Sequence, residues 1–306
     1  MHTTSPLLVE YHNGNYHVAL HHDGTKIRTF SESPKPEFPE SIDLKITDYC
    51  DAGCAFCHEK STKKGIHAPA ERIFEILGNV QPGVEIAIGG GNPLSHPQLD
   101  EILKVLSTEL HLIANITVHK DHFIENYKRI IQYQKQGYLF GIGISIKDLD
   151  DRDFIESFTG MEDEKIPFPN HVVWHVIAGI SDPQSLLRYN VGVGESVLIL
   201  GYKQYGFGKK YYNEKVVCNL AAWNYWIRTI LSKDLRVSFD NLAIEQLRIK
   251  DVVPTQVWNQ SYMGDDGIFS MYIDAVKDQF SISSTNNRVN RNGKTVEQMY
   301  KSNQII

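Results

Sequence analysis

The chain has 306 residues, of which 42% are hydrophobic and 22% are charged, a composition typical of a folded globular protein. This length fits one large α/β domain with additions, or two domains of medium size. The formal net charge is -6, so the composition does not indicate the overall basic surface with which proteins bind nucleic acid.

The sequence indicates neither a secreted protein nor a membrane protein. The stretch from Met1 to Pro6 has neither the basic nor the apolar region of a secretory signal, and no apolar run reaches the roughly 18 residues of a membrane helix. We therefore expect a cytoplasmic protein with no membrane partner. Three of the four cysteines lie between Cys50 and Cys57, and Cys218 stands alone. Clustered thiols in such a protein favour a metal site over a disulfide framework.

The first forty residues predict a small β meander followed by a linker. Asn13-Gly14 and Asp23-Gly24 separate three runs of strand-forming residues. These dipeptides supply the positive φ angles of hairpin turns. The runs are 7–11, 16–21 and 26–30. The proline-rich segment 31–39 then predicts a linker, because proline cannot maintain a sheet ladder.

From residue 41 onwards the pattern alternates between strands and helices. Strands are predicted at 42–46, 84–88, 112–118, 139–145, 172–178 and 196–200, and helices at 70–77, 99–106, 123–136 and 183–189. Consecutive strands with helical crossovers predict a parallel sheet with right-handed connections. Such units form either an open doubly wound sheet or a partial barrel, and both place ligands at the carboxyl ends of the strands.

The last hundred residues are less regular. A helix is predicted at 220–231, a strand within 235–247, a turn at 262–267 and a further strand at 268–276.

The most specific motif is Cys50-Asp51-Ala52-Gly53-Cys54-Ala55-Phe56-Cys57, with the spacing C-x3-C-x2-C directly after the first predicted strand. Thiolates favour iron–sulfur clusters, zinc or copper(I). Three thiolates are one ligand short of a closed zinc site or of a fully cysteine-ligated cubane. A structural zinc site would need His58 or His67 as its fourth ligand, whereas a four-iron cluster would keep one iron open.

This spacing, its place after the first strand and Phe56 before the last cysteine closely resemble the radical S-adenosylmethionine (radical SAM) superfamily. The resemblance implies that Cys50, Cys54 and Cys57 hold a [4Fe-4S] cluster whose open iron chelates S-adenosylmethionine. It implies that one electron from the cluster cleaves the cofactor to a 5'-deoxyadenosyl radical, which abstracts hydrogen from a substrate. It also favours a partial (β/α)6 TIM-like barrel over the open sheet.

The resemblance assigns further cofactor-binding residues. Gly90, Gly91 and Asn92 follow the second strand at the place of the family's Gly-Gly-Glu-Pro segment, which contacts the methionine amino group. Asn92 stands where glutamate is usual and offers an uncharged acceptor. Ser145, at the end of the fourth strand, matches a position that contacts ribose or carboxylate. Backbone near 176–180 is expected to contact adenine.

Other residues have weaker assignments. The segment 201–210, rich in lysine and aromatic residues, is either a mobile surface loop or a contact for an anionic or ring-containing substrate. Lys147 and Asp148 either face the cavity or form a surface ion pair. Cys218 is interpreted as an inert thiol, and segment 262–276 resembles the hairpin of a C-terminal extension that in larger members carries further clusters. Because its cysteines are missing here, one cluster is expected.

The sequence therefore predicts residues 1–40 as a meander and linker, 41–210 as the radical SAM core and 211–306 as an α+β extension covering the barrel mouth. Catalytic side chains and the substrate, whether peptide, nucleotide or small metabolite, stay open. An electron donor such as flavodoxin or ferredoxin is implied as a partner. The competing hypothesis is a non-catalytic iron–sulfur or zinc regulatory protein that uses the same thiols.

Overall fold

A computed structural model describes residues 5–148, 150–153, 155, 168–188, 196–233, 235–262 and 264–304. Its first unit is the predicted meander. The strands β1 (Leu7–Asn13), β2 (Tyr16–His21) and β3 (Lys26–Thr29) form an antiparallel sheet in that order. Gly14 and Gly24 adopt positive φ angles of 61° and 84° at the two turns, as the Asn-Gly and Asp-Gly dipeptides predict.

The second unit is a sheet of ten strands. Its strands are β4 (Ser41–Thr47), β5 (Glu85–Gly90), β6 (Ile113–His119), β7 (Gly141–Ser145), β8 (Val172–Ile177), β9 (Ser196–Leu200), β10 (Arg236–Phe239), β11 (Ser270–Asp274), β12 (Gln279–Ser281) and β13 (Val289–Asn290). The order across the sheet is β10-β9-β8-β7-β6-β5-β4-β11-β12-β13. Strands β4 to β9 are parallel, which confirms the predicted α/β fold class.

The helices are α1 (Ala70–Leu77), α2 (Leu99–Thr108), α3 (Lys120–Lys135), α4 (Pro183–Arg188), α5 (Gly206–Tyr211), α6 (Glu214–Leu231), α7 (Asn241–Gln246), α8 (Ile249–Val252), α9 (Thr255–Ser261) and α10 (Val296–Asn303). Tyr189, predicted as the end of α4, lies outside the described residues. In the described part of the chain, none of the helices combines the length and the apolar character that crossing a bilayer requires.

The range predicted as a C-terminal extension adds strands to both edges of the core sheet. Strand β10 pairs in parallel with β9, and β11 pairs in parallel with β4, with Ile273 opposite Leu44. Strands β12 and β13 then continue the sheet in antiparallel fashion. The parallel sheet is therefore wider than the predicted (β/α)6 core.

The sheet curls around a cavity of about 1160 Å³ that is lined by residues of β11 and of every strand from β4 to β9. Strand β6 shows how the sequence produces the two faces. Ala114 is buried in the hydrophobic core and is absent from the cavity lining, whereas Asn115 and Thr117 are partly exposed and line the cavity, because successive strand residues point to opposite faces. The helices cover the outer face through apolar stripes, as in the partial TIM-like barrel that was predicted.

The inner face of this barrel carries unusually small residues. Ala87, Gly89, Gly141, Gly143 and Ser196 all line the cavity. A TIM barrel normally fills its interior with layers of bulky branched side chains. The small residues leave the interior of this barrel open.

The meander closes the amino-terminal end of the barrel through buried charges. Glu40 is only 1% exposed and accepts hydrogen bonds from Arg28 at 2.6 Å and Tyr16 at 2.7 Å. Lys26 forms an ion pair with Glu85 at the start of β5. Because isolated buried charges are costly, these pairs fix the meander against the sheet.

A second buried network joins β4 to the C-terminal strands. Lys45 is 1% exposed, and its Nζ lies 2.7 Å from Glu59 and 3.3 Å from Asp274. Arg288 completes the network, at 2.6 Å from Glu59 and 2.7 Å from Asp274. Burial alone would lower the pKa of Lys45, but Glu59 and Asp274 outweigh that effect and raise it. The network fixes Glu59, two residues after Cys57, to strands from both ends of the sequence.

The first prediction concerns this network. Arg288→Met should lower the free energy of unfolding by roughly 3–5 kcal/mol, because it leaves two buried carboxylates with one counter-charge. The matched control is Arg248→Met, which removes the exposed pair between Arg248 and Asp251; surface pairs contribute at most about 1 kcal/mol. Urea unfolding of both variants measures the difference, and similar losses would contradict the proposed role of the buried network.

Candidate active site

The cysteine loop follows β4 and is held by its own backbone. The Cys50 amide donates to the Thr62 carbonyl at 3.0 Å, and the Cys57 amide donates to the Cys54 carbonyl at 3.1 Å. Gly53 turns the chain with a φ of 69°, a conformation that favours glycine. All three thiols are free and partly exposed, and all three line the barrel cavity. The loop therefore presents its sulfur atoms together at the carboxyl end of the barrel.

Ionising the thiols of Cys50 and Cys54 without a metal is unfavourable. Burial and then the neighbouring Cys57 and Cys50 raise the pKa of Cys54 to about 11, and burial raises the pKa of Cys50. A bound cation favours the thiolate form, because metal binding and thiol deprotonation are linked. The chemistry of the donor set therefore fits a metal centre.

The spacing of the sulfur atoms distinguishes a cluster from a single ion. Within the described residues, the one trio of potential ligand atoms lying within 4.8 Å of one another comes from Cys50, Asp51 and His122. At least one pair of the three cysteine sulfurs is thus more than 4.8 Å apart, whereas the ligands of one tetrahedral zinc ion are about 3.8 Å apart at normal Zn–S distances. A cluster in which each cysteine binds a different iron fits the wider spacing.

The histidines considered as zinc ligands have other neighbours. His67 lies 2.9 Å from the Thr47 hydroxyl, and His58 lies 3.5 Å from Glu59. Neither belongs to the trio of potential ligand atoms around Cys50. The trio itself contains a hydrogen bond of 2.8 Å between His122 and Asp51, a contact that the sequence did not predict.

The glycines at the end of β5 form a cradle beside the cysteine loop. A Cβ atom on Gly91 would lie 2.0 Å from the Tyr49 carbonyl oxygen, and one on Gly90, whose φ is 109°, would lie 2.5 Å from the Thr47 carbonyl oxygen. A Cβ on Gly89 would meet nothing within 4 Å. Gly90 and Gly91 therefore permit close packing on the start of the loop, whereas Gly89 leaves open space in the cavity.

Asn92 lies behind this cradle. It is 4% exposed, is not part of the cavity lining, and donates from Nδ2 to Asp51 at 3.4 Å. Its Oδ1 is buried without a hydrogen-bond partner in the described structure. A buried carbonyl oxygen without a partner is a free acceptor, so the acceptor that the resemblance assigns to Asn92 is present. Asn92 itself does not line the cavity, whereas the preceding residue, Gly91, does.

The remaining predicted residues fall on the same cavity. Ser145 lines it at the end of β7, as do Ile177 and Ile180 in the segment expected near adenine. Lys147 lines it as well, whereas Asp148 does not. Cys218 is exposed and stands apart from the cavity.

The sequence did not predict that segment 201–210 contacts the cysteine loop. The segment 201–210 contains the start of α5, where the Phe207 amide donates to the Cys57 carbonyl at 2.9 Å. A Cβ on Gly206 would lie 2.3 Å from the His58 carbonyl oxygen, and one on Gly208 would lie 3.0 Å from that of Phe56. The Gly-Phe-Gly spacing was the available signal, since two glycines flanking one residue permit close backbone approach. Part of this segment is therefore a helix packed on the cysteine loop.

Inside the barrel, His175 faces Gly143. The ring occupies the space in which a Gly143 side chain would start, at 2.3 Å from an added Cβ. Burial lowers the pKa of His175 to about 4, with a smaller contribution from Lys203. The imidazole is therefore neutral near pH 7, and its Nδ1 has no partner among the described residues.

These features agree with comparisons to known proteins. The family model of the Radical SAM superfamily matches residues 44–165, which include the cysteine loop and the glycine cradle. This part of the chain is a radical SAM domain. No curated protein sequence matches it.

Two similar solved structures are of SuiB from Streptococcus suis. The structure of SuiB bound to S-adenosylmethionine matches with a TM-score of 0.57 and 14% identity, over 87% of this chain and 66% of that one. SuiB bound to the precursor peptide SuiA matches with a TM-score of 0.56 and 13% identity, over 88% and 65%. At this identity the similarity shows the fold, and the chain spans just under two thirds of SuiB.

The second prediction uses the neighbouring glycines as a matched pair. Gly91→Ala should cost at least about 2 kcal/mol of stability, because the added methyl group collides with backbone. Gly89→Ala meets no atom and should be neutral or stabilise by up to about 1 kcal/mol. Urea unfolding of the metal-free proteins tests this, and equal effects at the two positions would refute the cradle geometry.

The third prediction concerns acid stability. Since the pKa of His175 falls from its usual 6.5 to about 4 on folding, the unfolded chain binds a proton first as the pH falls. Stability should therefore decrease between pH 6.5 and pH 4, by up to roughly 3 kcal/mol from this group. His175→Gln should lose that component, so its stability curve should be flatter than that of the wild type over this range. Parallel curves for the two proteins would contradict the assignment.

Proposed function

We propose that this chain is a radical SAM enzyme that binds one [4Fe-4S] cluster through Cys50, Cys54 and Cys57. The observation that carries the proposal is the joint presentation of three thiols at one cavity, with sulfur spacing wider than a single zinc ion requires. The glycine cradle lies at the same end of the barrel. A loop that supplied a structural metal site would instead surround its ion with protein ligands.

When bound, the cluster held by Cys50, Cys54 and Cys57 would supply one electron, and S-adenosylmethionine would supply the cleavable C–S bond from which the hydrogen-abstracting 5'-deoxyadenosyl radical derives. The chain orients the cofactor and excludes competing reactions. Gly89 leaves room for the methionine portion, while Gly90 and Gly91 fix the cradle against the loop. Ser145, which lines the cavity, contacts the ribose or the carboxylate. The role of Asn92 as acceptor for the amino group rests on the resemblance, since its free Oδ1 is buried behind the cavity wall.

The remaining partners are inferred from the same chemistry. The substrate enters the open end of the barrel, and an electron donor such as flavodoxin or ferredoxin reduces the cluster. SuiB is bound to a precursor peptide in one of the similar structures, which makes a peptide one of the candidate substrate classes. Free thiols at the site suit a reducing compartment such as the cytoplasm.

The fourth prediction tests this function by anaerobic reconstitution with iron, sulfide and a reductant. The wild type should bind close to one cluster per chain and convert S-adenosylmethionine to 5'-deoxyadenosine, detected by mass spectrometry. Cys54→Ala should lose both properties, because one iron loses its protein ligand. Cys218→Ala is the matched control and should retain both, since Cys218 is exposed and away from the cavity.

Two outcomes would count against the proposal. A single zinc ion without inorganic sulfide would indicate the regulatory alternative, with Cys50, Asp51 and His122 as candidate ligands. Full cleavage by Cys54→Ala would show that the ligand assignment is wrong.

A further inference from the structure

The cavity is larger than the cofactor site alone requires. Its volume is about 1160 Å³, beyond the range of about 300–1,000 Å³ for pockets that hold one drug-sized ligand. It runs from the cysteine loop to Asp23 and Gly24 of the meander, at the opposite end of the barrel. A substantial part of the cavity therefore lies below the level of the thiols and the glycine cradle.

One layer of this part, called here the lower chamber, is defined by Asp43, Ala87, Asn115 and Gly141. These residues are direct neighbours across β4, β5, β6 and β7, and all four line the cavity. The layer lies two residues below Gly89 in β5, about 7 Å at the normal strand rise. Because Ala87 and Gly141 are small, the layer is open towards the cofactor level.

Most charged groups along the cavity are already compensated. Lys45 contacts Glu59 and Asp274, and Glu85 pairs with Lys26. The carboxylates of the other acidic lining residues also have partners: Asp23 accepts from the Thr25 amide at 2.9 Å, and Asp240 accepts from the Gly201 and Ala243 amides at 2.8 and 2.7 Å. These groups hold the structure together and are not free for a ligand.

Asp43 is different. Within the described structure its carboxylate has neither a hydrogen bond nor an ion pair, and its side chain is exposed and lines the cavity. Desolvation by the surrounding barrel raises the pKa of Asp43, and the charge of Lys203, whose Nζ donates to Ser284 at 2.9 Å, opposes that shift. Asn115, in the same layer, also has no side-chain partner among the described residues. The layer thus holds a carboxylate that is exposed to the cavity and has no counter-charge in contact.

From this geometry we propose that the lower chamber binds a protonated amine or amidinium group of the substrate, with Asp43 as its counter-ion and the Asn115 side-chain oxygen as a second acceptor. A cation with N–H donors offers this carboxylate the charge-assisted hydrogen bonds that the chain itself does not supply. The inference rests on the proposed function and adds the chemical class of the group that the enzyme recognises. Asp43 is a specificity determinant in this assignment and takes no part in cofactor cleavage.

The fifth prediction is tested on the reconstituted holoenzyme with S-adenosylmethionine bound. Three probes of equal chain length, pentylamine, 1-pentanol and pentanoate, are titrated at pH 7.5 and followed by ligand-detected NMR. The wild type should bind pentylamine at least about tenfold more tightly than 1-pentanol, the effect expected of one charge-assisted hydrogen bond. Asp43→Asn and Asp43→Ser should both abolish that preference. Glu109→Gln, an exposed site outside the cavity lining, should retain it.

Equal binding of pentylamine and 1-pentanol by the wild type would overturn the proposal, as would a preserved preference in folded Asp43→Asn and Asp43→Ser. Preferred binding of pentanoate would overturn it too, because that result assigns recognition to Lys203. Formation of 5'-deoxyadenosine by the same wild-type preparation is measured separately. If cleavage is absent while the Asp43-dependent amine preference is present, the enzymatic function fails and the chamber assignment stands. The reverse result would reject only the chamber assignment.

Discussion

The positive charge of Lys45 inside the barrel wall is the constraint on which the site depends. Lys45 is 1% exposed, and three carboxylates surround it, from Asp48, Glu59 and Asp274. Two of them belong to the segment that carries the cysteines, and the third belongs to β11. A buried ammonium group without these partners would be strongly destabilising. The ion pairs of Lys45 therefore hold the cysteine loop and the C-terminal strands against the end of β4.

The second constraint is space. Small residues on the inner face forgo the apolar packing that stabilises an ordinary barrel, and each glycine in a strand also costs conformational entropy. The stability lost in the interior is recovered outside the barrel, where the helices bury stripes such as Leu99, Ile102 and Leu106 of α2. The outer face of the sheet therefore supplies most of the packing that stabilises the fold, and the inner face is left open for ligands.

The local pattern was sufficient for the strands of the core between residues 41 and 200, but it did not yield the short C-terminal helices such as α10. Alternating apolar residues gave the strands, and α1 at Ala70–Leu77 was predicted to the residue. The position of the cysteine loop followed from the strand before it. The pattern could not show that Arg288 contacts Glu59, because 229 positions separate them. Nor could it show that β11 pairs with β4, since strand pairing at that separation depends on tertiary packing.

The inner polar groups were missed for a different reason. Asp43 lies within the predicted strand 42–46, in which charged and apolar residues alternate. A charged residue between apolar neighbours in a strand is typical of a solvent-facing position. Only the curvature of the sheet turns that face inward. The interpretation of 201–210 as a loop was incomplete in the same way, because the glycines at 206 and 208 acquire their role only when the Cys57 carbonyl lies beside them.

The way in which the barrel is completed also bears on access to its interior. The sheet order runs from β10 to β13, and within the described residues the two edge strands do not pair with each other. The two sides of the sheet are connected instead by side chains, with Lys203 donating to Ser284 at 2.9 Å and Asn241 donating to Asp266 at 2.8 Å. Individual hydrogen bonds of this kind contribute about 1 kcal/mol each, far less than a continuous strand ladder. This side of the barrel can therefore separate at lower cost than any pair among β4 to β9, and it lies beside the cavity, which Lys203 and Ser284 both line.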